Sequence, residues 1–300
     1  MVACVPCALV CLVHLCSLLL GLGQALAATT DSAGKAAAKE PPDLSEHAVV
    51  LMFDDGWHSV FTHAYPLLKE HGMKVVLPLI SNSVAGGKVR YTGDPSGYMN
   101  RAEVQEMIDA LGAEIVSHTK SHPFLTRLSD DEVRDELTGS KQSLERLFHQ
   151  TITVFVYPYG DYDERIRNLV SEAGYSLARS IRPGTLNFAS RPYDLPATEI
   201  RRTTSVAFVE ERVTKNRYLI LFFHRIVPDP SSYTEWSSRK FAEFLDWLDA
   251  SGVQVLTTKE MYKYCMGIPL GPGVARRSWR NRVEWELLEQ IDVNVTAAAE

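Results

Sequence analysis

The stretch HAVVLMFDDGWHSV (residues 47–60) decides how the chain folds. An unbroken apolar run of strand length ends abruptly in two carboxylates, Asp54 and Asp55, and then Gly56. A continuous apolar run suits a parallel strand that is covered on both faces. Outward from it the same alternation of strand and helix repeats. SVFTHAYPLLKEHG (59–72) has helical spacing and stops at Gly72, a residue type that leaves a helix easily. KVVLPLI (74–80), AEIVS (113–117), TITVFVY (151–157), YLILFFH (218–224) and VQVLT (253–257) read as strands, with YSLARS (175–180) and ATEIRR (197–202) as weaker ones. NRAEVQEMIDALG (100–112) and LSDDEVRDELTGSKQSLERLFHQ (128–150) open with capping-box spacing, Asn100 with Glu103 and Ser129 with Glu132. DERIRNLVSEAG (163–174), SRKFAEFLDWLDASG (238–252) and TKEMYKYC (258–265) are further helices. Strands and helices in alternation predict an α/β fold with a parallel sheet. About seven repeats favour a distorted, closed or nearly closed (β/α) barrel over an open sheet.

The bulk composition sets outer limits. With 300 residues, 45% of them hydrophobic, the chain can build one large core. Its formal charge of -6, from 37 acidic and 31 basic residues, is no footprint for nucleic acid, and no such partner is expected. Residues 1–27 carry no Lys, Arg, Asp or Glu and end in Ala25-Leu26-Ala27. That reads as a signal peptide, so the protein is expected to be exported to the periplasm, cell envelope or medium. Contact with a membrane is expected only if that leader stays attached. Four of the five cysteines lie in the leader, which leaves Cys265 and no internal disulfide. Residues 28–46 read as a linker, 47–265 as the domain and 266–300 as a C-terminal extension.

Polar groups collect at strand ends, where barrels of this class place their chemistry. His118 and His122 follow the AEIVS strand, four residues apart, so one helical turn would put both rings on one side. Pro123 disfavours helix at His122 and stops that turn. Two adjacent carboxylates at the mouth of a buried sheet cost free energy unless a cation compensates them. One of the pair would then bind the cation and the other would act as a base. Two imidazoles and a carboxylate make an open metal site. His224 ends the YLILFF run and reads either as a satisfied core residue or as a general acid.

The motifs MFDDGW, HTKSH, VYPYG and LFFH stand in the order and spacing of the NodB-homology polysaccharide deacetylases, carbohydrate esterase family four. The resemblance covers residues 48–263 and implies a distorted barrel around a divalent metal, usually zinc. Carried onto this chain, it implies Asp55, His118 and His122 as metal ligands, Asp54 as catalytic base and His224 as catalytic acid. The backbone N–H of Tyr159 would steady the oxyanion. The implied reaction removes acetyl groups from N-acetylglucosamine-type glycans, with metal-bound water as nucleophile and an acetylated glycan as the partner molecule. Three features depart from the pattern. Val156 stands where an Arg usually pairs with the base; Arg201 or Arg202 could supply that charge, with Arg179 and Arg182 ranked behind them. The Tyr-Pro-Tyr-Gly form resembles the exported branch that acts on poly-N-acetylglucosamine. The Asp-Trp pair that tunes the catalytic His has no clear counterpart, and Met52 replaces a common Thr or Ser. Two other readings follow: a catalytically impaired carbohydrate-binding protein on the same barrel, or a metal-dependent hydrolase of small non-sugar amides. Tyr91 and Tyr98 could wall a groove and Trp57 could stack on a sugar, although ordinary packing is preferred for each.

Overall fold

Strand β1 (Ala48–Phe53) lies in the middle of a curved parallel sheet, and all its residues are buried. The computed structural model describes residues 44–86 and 97–270. The proposed leader, nearly all of the linker, Tyr91 and the extension beyond residue 270 lie outside the described residues. Leu44 is already buried, and its N–H donates to the Ser251 carbonyl at 2.9 Å.

The other strands are β2 (Val76–Leu79), β3 (Glu114–Ser117), β4 (Val154–Val156), β5 (Leu177–Arg179), β6 (Thr198–Glu199), β7 (Tyr218–Phe223), β8 (Arg225–Val227), β9 (Glu235–Ser237) and β10 (Gln254–Val255). The main path runs β5-β4-β3-β2-β1-β7-β6, every pairing parallel. β10 joins the lower end of β1 through Ala48 and Val49. Among the described residues β5 and β6 do not pair; the chain returns between them by a lone bridge from Arg179 to Leu195. The result is a curled half-barrel of seven strands, as the strand–helix alternation predicts.

The side chains of β1 sort by parity, as a pleated strand requires. Val49, Leu51 and Phe53 face the helices, in one core cluster with Phe223, Phe241 and Phe244. Ala48, Val50 and Met52 face the barrel interior, with Val76, Val116, Val154, Val156, Ile220 and Met261. Both faces are apolar, which is why the strand carries no alternating polar residues.

The helices are α1 (Tyr65–Glu70), α2 (Ser81–Val84), α3 (Arg101–Leu111), α4 (Asp130–Phe148), α5 (Glu164–Glu172), α6 (Val206–Lys215), α7 (Ser238–Ser251) and α8 (Thr258–Cys265). A π turn over Val60–Ala64 leads into α1. The two predicted capping boxes form at Asn100/Glu103 and Ser129/Glu132, and Gly112 leaves α3 in the left-handed conformation. A third box, Thr257 with Glu260, opens α8 beneath the barrel. There the buried Glu114 carboxylate accepts the N–H of Thr258 at 2.6 Å. α6 has no counterpart in the sequence reading, although Val206, Val209 and Val213 bury one helical face. The small β8–β9 pair was likewise not anticipated; it holds Arg225 and Glu235 together at 3.2 Å.

Candidate metal-dependent active site

Strand parity carries the chemistry to one place. Beyond Ala48, Val50 and Met52 the next inward position is Asp54. On β3, Val116 is inward and His118 follows two residues later; on β7, Ile220 and Phe222 lead to His224. On β5, Leu177 leads to Arg179. All four side chains line one cleft of ≈ 310 Å³, with Asp55, Trp57, His122, Tyr159, Glu199 and others.

Asp55 breaks the parity, and the backbone shows how. Its φ is 74°, in the left-handed region, so the chain turns and brings a second carboxylate to the same mouth. Thr119, His122 and Tyr159 are also left-handed, at 66°, 60° and 59°. Four of the five non-glycine residues with positive φ therefore stand at this site; the fifth, His149, caps α4. Each costs about 1–3 kcal/mol unless its surroundings enforce it. Gly56 follows at φ 84°, where an added Cβ would come within 2.9 Å of a Leu79 methyl. Gly56→Ala is therefore expected to cost about 1–2 kcal/mol or more, read as a lower urea midpoint.

Asp55 Oδ1 lies 3.3 Å from His118 Nε2 and 3.3 Å from His122 Nε2. The two Nε2 atoms are 3.1 Å apart. His118 Nδ1 lies 2.8 Å from the Val156 carbonyl, which can only accept, so the ring's proton sits on Nδ1 and Nε2 keeps its lone pair. Asp55 Oδ2 accepts from Trp57 Nε1 at 2.9 Å, while Oδ1 is buried with no hydrogen-bond partner. Such acceptors facing one another are unfavourable without a cation among them. The spacing suits one, since ligands about 2.0–2.1 Å from a tetrahedral metal lie about 3.3 Å apart. The three groups form the one potential metal cluster among the described residues. Burial alone would raise the Asp55 carboxyl, but the facing His118, His122 and His224 more than offset it and hold the group well below the usual carboxylate range. Burial, then the neighbouring His118, pushes His122 down to about 4, so its ring is neutral and able to ligate at pH 7.

Asp54 stands beside this triad and is paired with Arg179, whose guanidinium is 1% exposed and lies over the Phe222 ring at 4.2 Å. This corrects the sequence reading. Arg201 instead binds Glu199, Nε to Oε2 at 2.8 Å, and Arg202 is exposed. Arg182 lies over the Tyr162 ring. The reason for the exchange is register: Arg179 on β5 is the direct partner of Val156 on β4. The charge sits one strand over from its usual place and reaches the same carboxylate. Asp54 Oδ1 remains buried without a hydrogen-bond partner.

Trp57 is no sugar platform. It is 2% exposed, its ring stacks on Tyr98 at 4.5 Å, and its N–H serves Asp55. Tyr159 stands in the Pro158–Gly160 turn with its ring stacked on Phe124 at 4.0 Å. His224 reaches the cleft, but its Nδ1 is buried with no hydrogen-bond partner, so no carboxylate takes the tuning role there. Glu199, at the end of the weak β6, lines the cleft and escaped the sequence reading; a two-residue strand gives little pattern to find it by.

Residues 42–178 match the polysaccharide deacetylase family, and that span contains Asp54, Asp55, His118, His122 and Tyr159. The chain belongs to the polysaccharide deacetylase family. It is 33% identical over 140 residues to the putative polysaccharide deacetylase YxkH of Bacillus subtilis, covering 47% of each chain. It is 27% identical over 169 residues to chitin deacetylase 1 of Cryptococcus neoformans var. grubii, covering 55% of this chain and 33% of that one. The chain thus spans about half or less of the curated relatives it matches. Among solved structures, the peptidoglycan deacetylase PdaC from Bacillus subtilis superposes with a TM-score of 0.52 at 17% identity, covering 75% of this chain and 94% of that one. The Streptococcus pyogenes deacetylase PplD superposes at 0.50 and 23% identity, covering 55% and 69%. These two share the fold.

Proposed function

We propose that this chain is an exported, metal-dependent polysaccharide deacetylase that hydrolyses acetyl groups from N-acetylglucosamine-type glycans. The observation that carries the proposal is the convergence of Asp55, His118 and His122 beside the Arg179-held Asp54. Family membership supports the reaction class. The apolar leader, residues 1–27, supports export, and the Tyr-Pro-Tyr-Gly motif supports a poly-N-acetylglucosamine-like substrate.

The three ligands suit zinc, the divalent ion we assign to the site. Bound there, it would supply Lewis acidity, polarising an acetyl carbonyl and making water nucleophilic near neutral pH. The chain's own groups do the rest. Arg179 fixes one oxygen of Asp54 and leaves Oδ1 to take the proton of the attacking water. The main-chain N–H of Tyr159 is assigned to the oxyanion, whose stabilisation is usually the largest single catalytic contribution. The His224 imidazole protonates the departing nitrogen, and the products are acetate and an amino sugar.

Purified protein is expected to release acetate from N-acetylglucosamine oligomers, to stop when treated with a chelator, and to recover with added Zn²⁺. Absence of cation-dependent acetate release from every acetylated glycan tried would end the proposal. The second reading, a carbohydrate-binding protein with weak turnover, keeps one supporting observation: the unpartnered His224 Nδ1. The other motive for that reading, the valine at 156, is answered by Arg179. Glycan binding unaccompanied by any acetate release would favour it.

A further inference from the structure

The segment His118–His122 delivers two of the three converging ligands, yet its shape comes from its neighbours. Thr119 and His122 are both left-handed, and the segment's polar groups find their partners outside regular secondary structure. The His122 N–H donates to Thr119 Oγ1 at 2.9 Å. The carbonyls of Thr119 and Lys120 accept from Ser81 and Asn82, the first residues of α2, at 3.0 and 3.1 Å. The N–H groups of Lys120 and Ser121 both donate to Glu136 Oε2, at 2.8 and 2.9 Å. The Ser121 hydroxyl donates to Glu136 Oε1 at 2.6 Å. A single carboxylate on α4 thus takes three hydrogen bonds from two adjacent residues between the histidines.

The same edge of α4 holds the segment at three further points. Lys120 Nζ reaches Asp135 at 2.7 Å. The Lys120 stem crosses Gly139 so closely that a Cβ there would lie 2.6 Å from Lys120 Cδ. Ser140 Oγ meets Ser117 Oγ at 2.9 Å, at the end of β3. Asp135, Glu136, Gly139 and Ser140 follow helical i, i+1, i+4, i+5 spacing, so one face of a 19-residue helix grips the strand end and the turn together.

We propose that Glu136 is the positioning residue of the metal site: it touches neither cation nor substrate and sets the separation of the His118 and His122 rings. The proposal rests on the metal-site reading above. Without this acceptor two partly buried N–H groups lose their partner and the left-handed turn relaxes. Outer partners of metal ligands typically contribute about 10–100-fold in affinity.

The test is Co²⁺ and Zn²⁺ affinity by chelator competition, with the visible Co²⁺ spectrum recorded alongside. Glu136→Ala is expected to weaken both ions about 10–100-fold and to alter the Co²⁺ bands, while the metal-free protein stays folded by circular dichroism. Glu136→Gln keeps one oxygen for the two N–H groups and is expected to recover most of the affinity. Glu136→Asp is the second variant; its shorter reach is expected to mimic the alanine. Folded Glu136→Ala or Glu136→Asp with wild-type affinity and spectrum would overturn the inference. Unfolding of both would overturn it too, because Glu136 would then be a folding residue. Failure of the wild-type protein to bind either ion would instead strike the metal-site reading itself.

Discussion

Asp54→Asn is expected to lower the rate of acetate release by about 10²–10⁴-fold, the usual contribution of a positioned general base, while Zn²⁺ affinity changes little. The separation of the two effects follows from the geometry. Asp54 faces the cleft with one oxygen held by Arg179 and the other buried without a partner, and it is no member of the Asp55–His118–His122 cluster. Asparagine keeps the shape and an acceptor for Arg179 but cannot take a proton. Asp55→Asn is the natural contrast, because it should reduce cation affinity and rate together. Measuring acetate release and chelator competition on both variants separates base from ligand. A rate within tenfold of wild type for Asp54→Asn would remove Asp54 from the base role.

Arg179→Met should be the most destabilising single change at the site. Arg179 and Asp54 are an almost completely buried ion pair, and removing one partner strands the other charge. Such losses run to about 3–5 kcal/mol. Methionine fills a similar volume, so packing against Phe222 is largely retained and the effect reports charge. The double variant Asp54→Asn/Arg179→Met removes both charges and should be less destabilised than the two single changes add up to, by about 0.5–3 kcal/mol. Urea denaturation of the four proteins measures this directly. Additive losses would mean that the two side chains stabilise the fold independently. Acetate release should also fall in Arg179→Met, since the base loses its orientation.

These expectations show what the sequence could and could not disclose. β1, β3 and β7 were legible because parallel strands buried on both faces are written as unbroken apolar runs, and their ends were marked by Asp54, His118 and His224. Parity then places those three side chains inward with no further information. Asp55 was different: only a left-handed residue can point beside its neighbour, and φ is not written in a residue's identity. Arg179 illustrates a second limit. Its partnership with Asp54 depends on β5 lying next to β4 in a register that sets Arg179 opposite Val156. That is a long-range fact, and the weak YSLARS strand gave no local hint of it. α6 was missed for the opposite reason. Val206, Val209 and Val213 have helical spacing, but β-branched residues blur the local preference.

The crowd of left-handed residues around the cleft has a consequence for anyone engineering this protein. Thr119 and Tyr159 hold backbone conformations that glycine adopts without penalty, so a screen rewarding heat resistance alone would drift toward glycine at both positions. Each such winner would survive hotter and work worse, since glycine at 119 deletes the hydroxyl that meets the His122 N–H and glycine at 159 strips the ring from Phe124. Selection for durability and selection for turnover should therefore pull this rim in opposite directions.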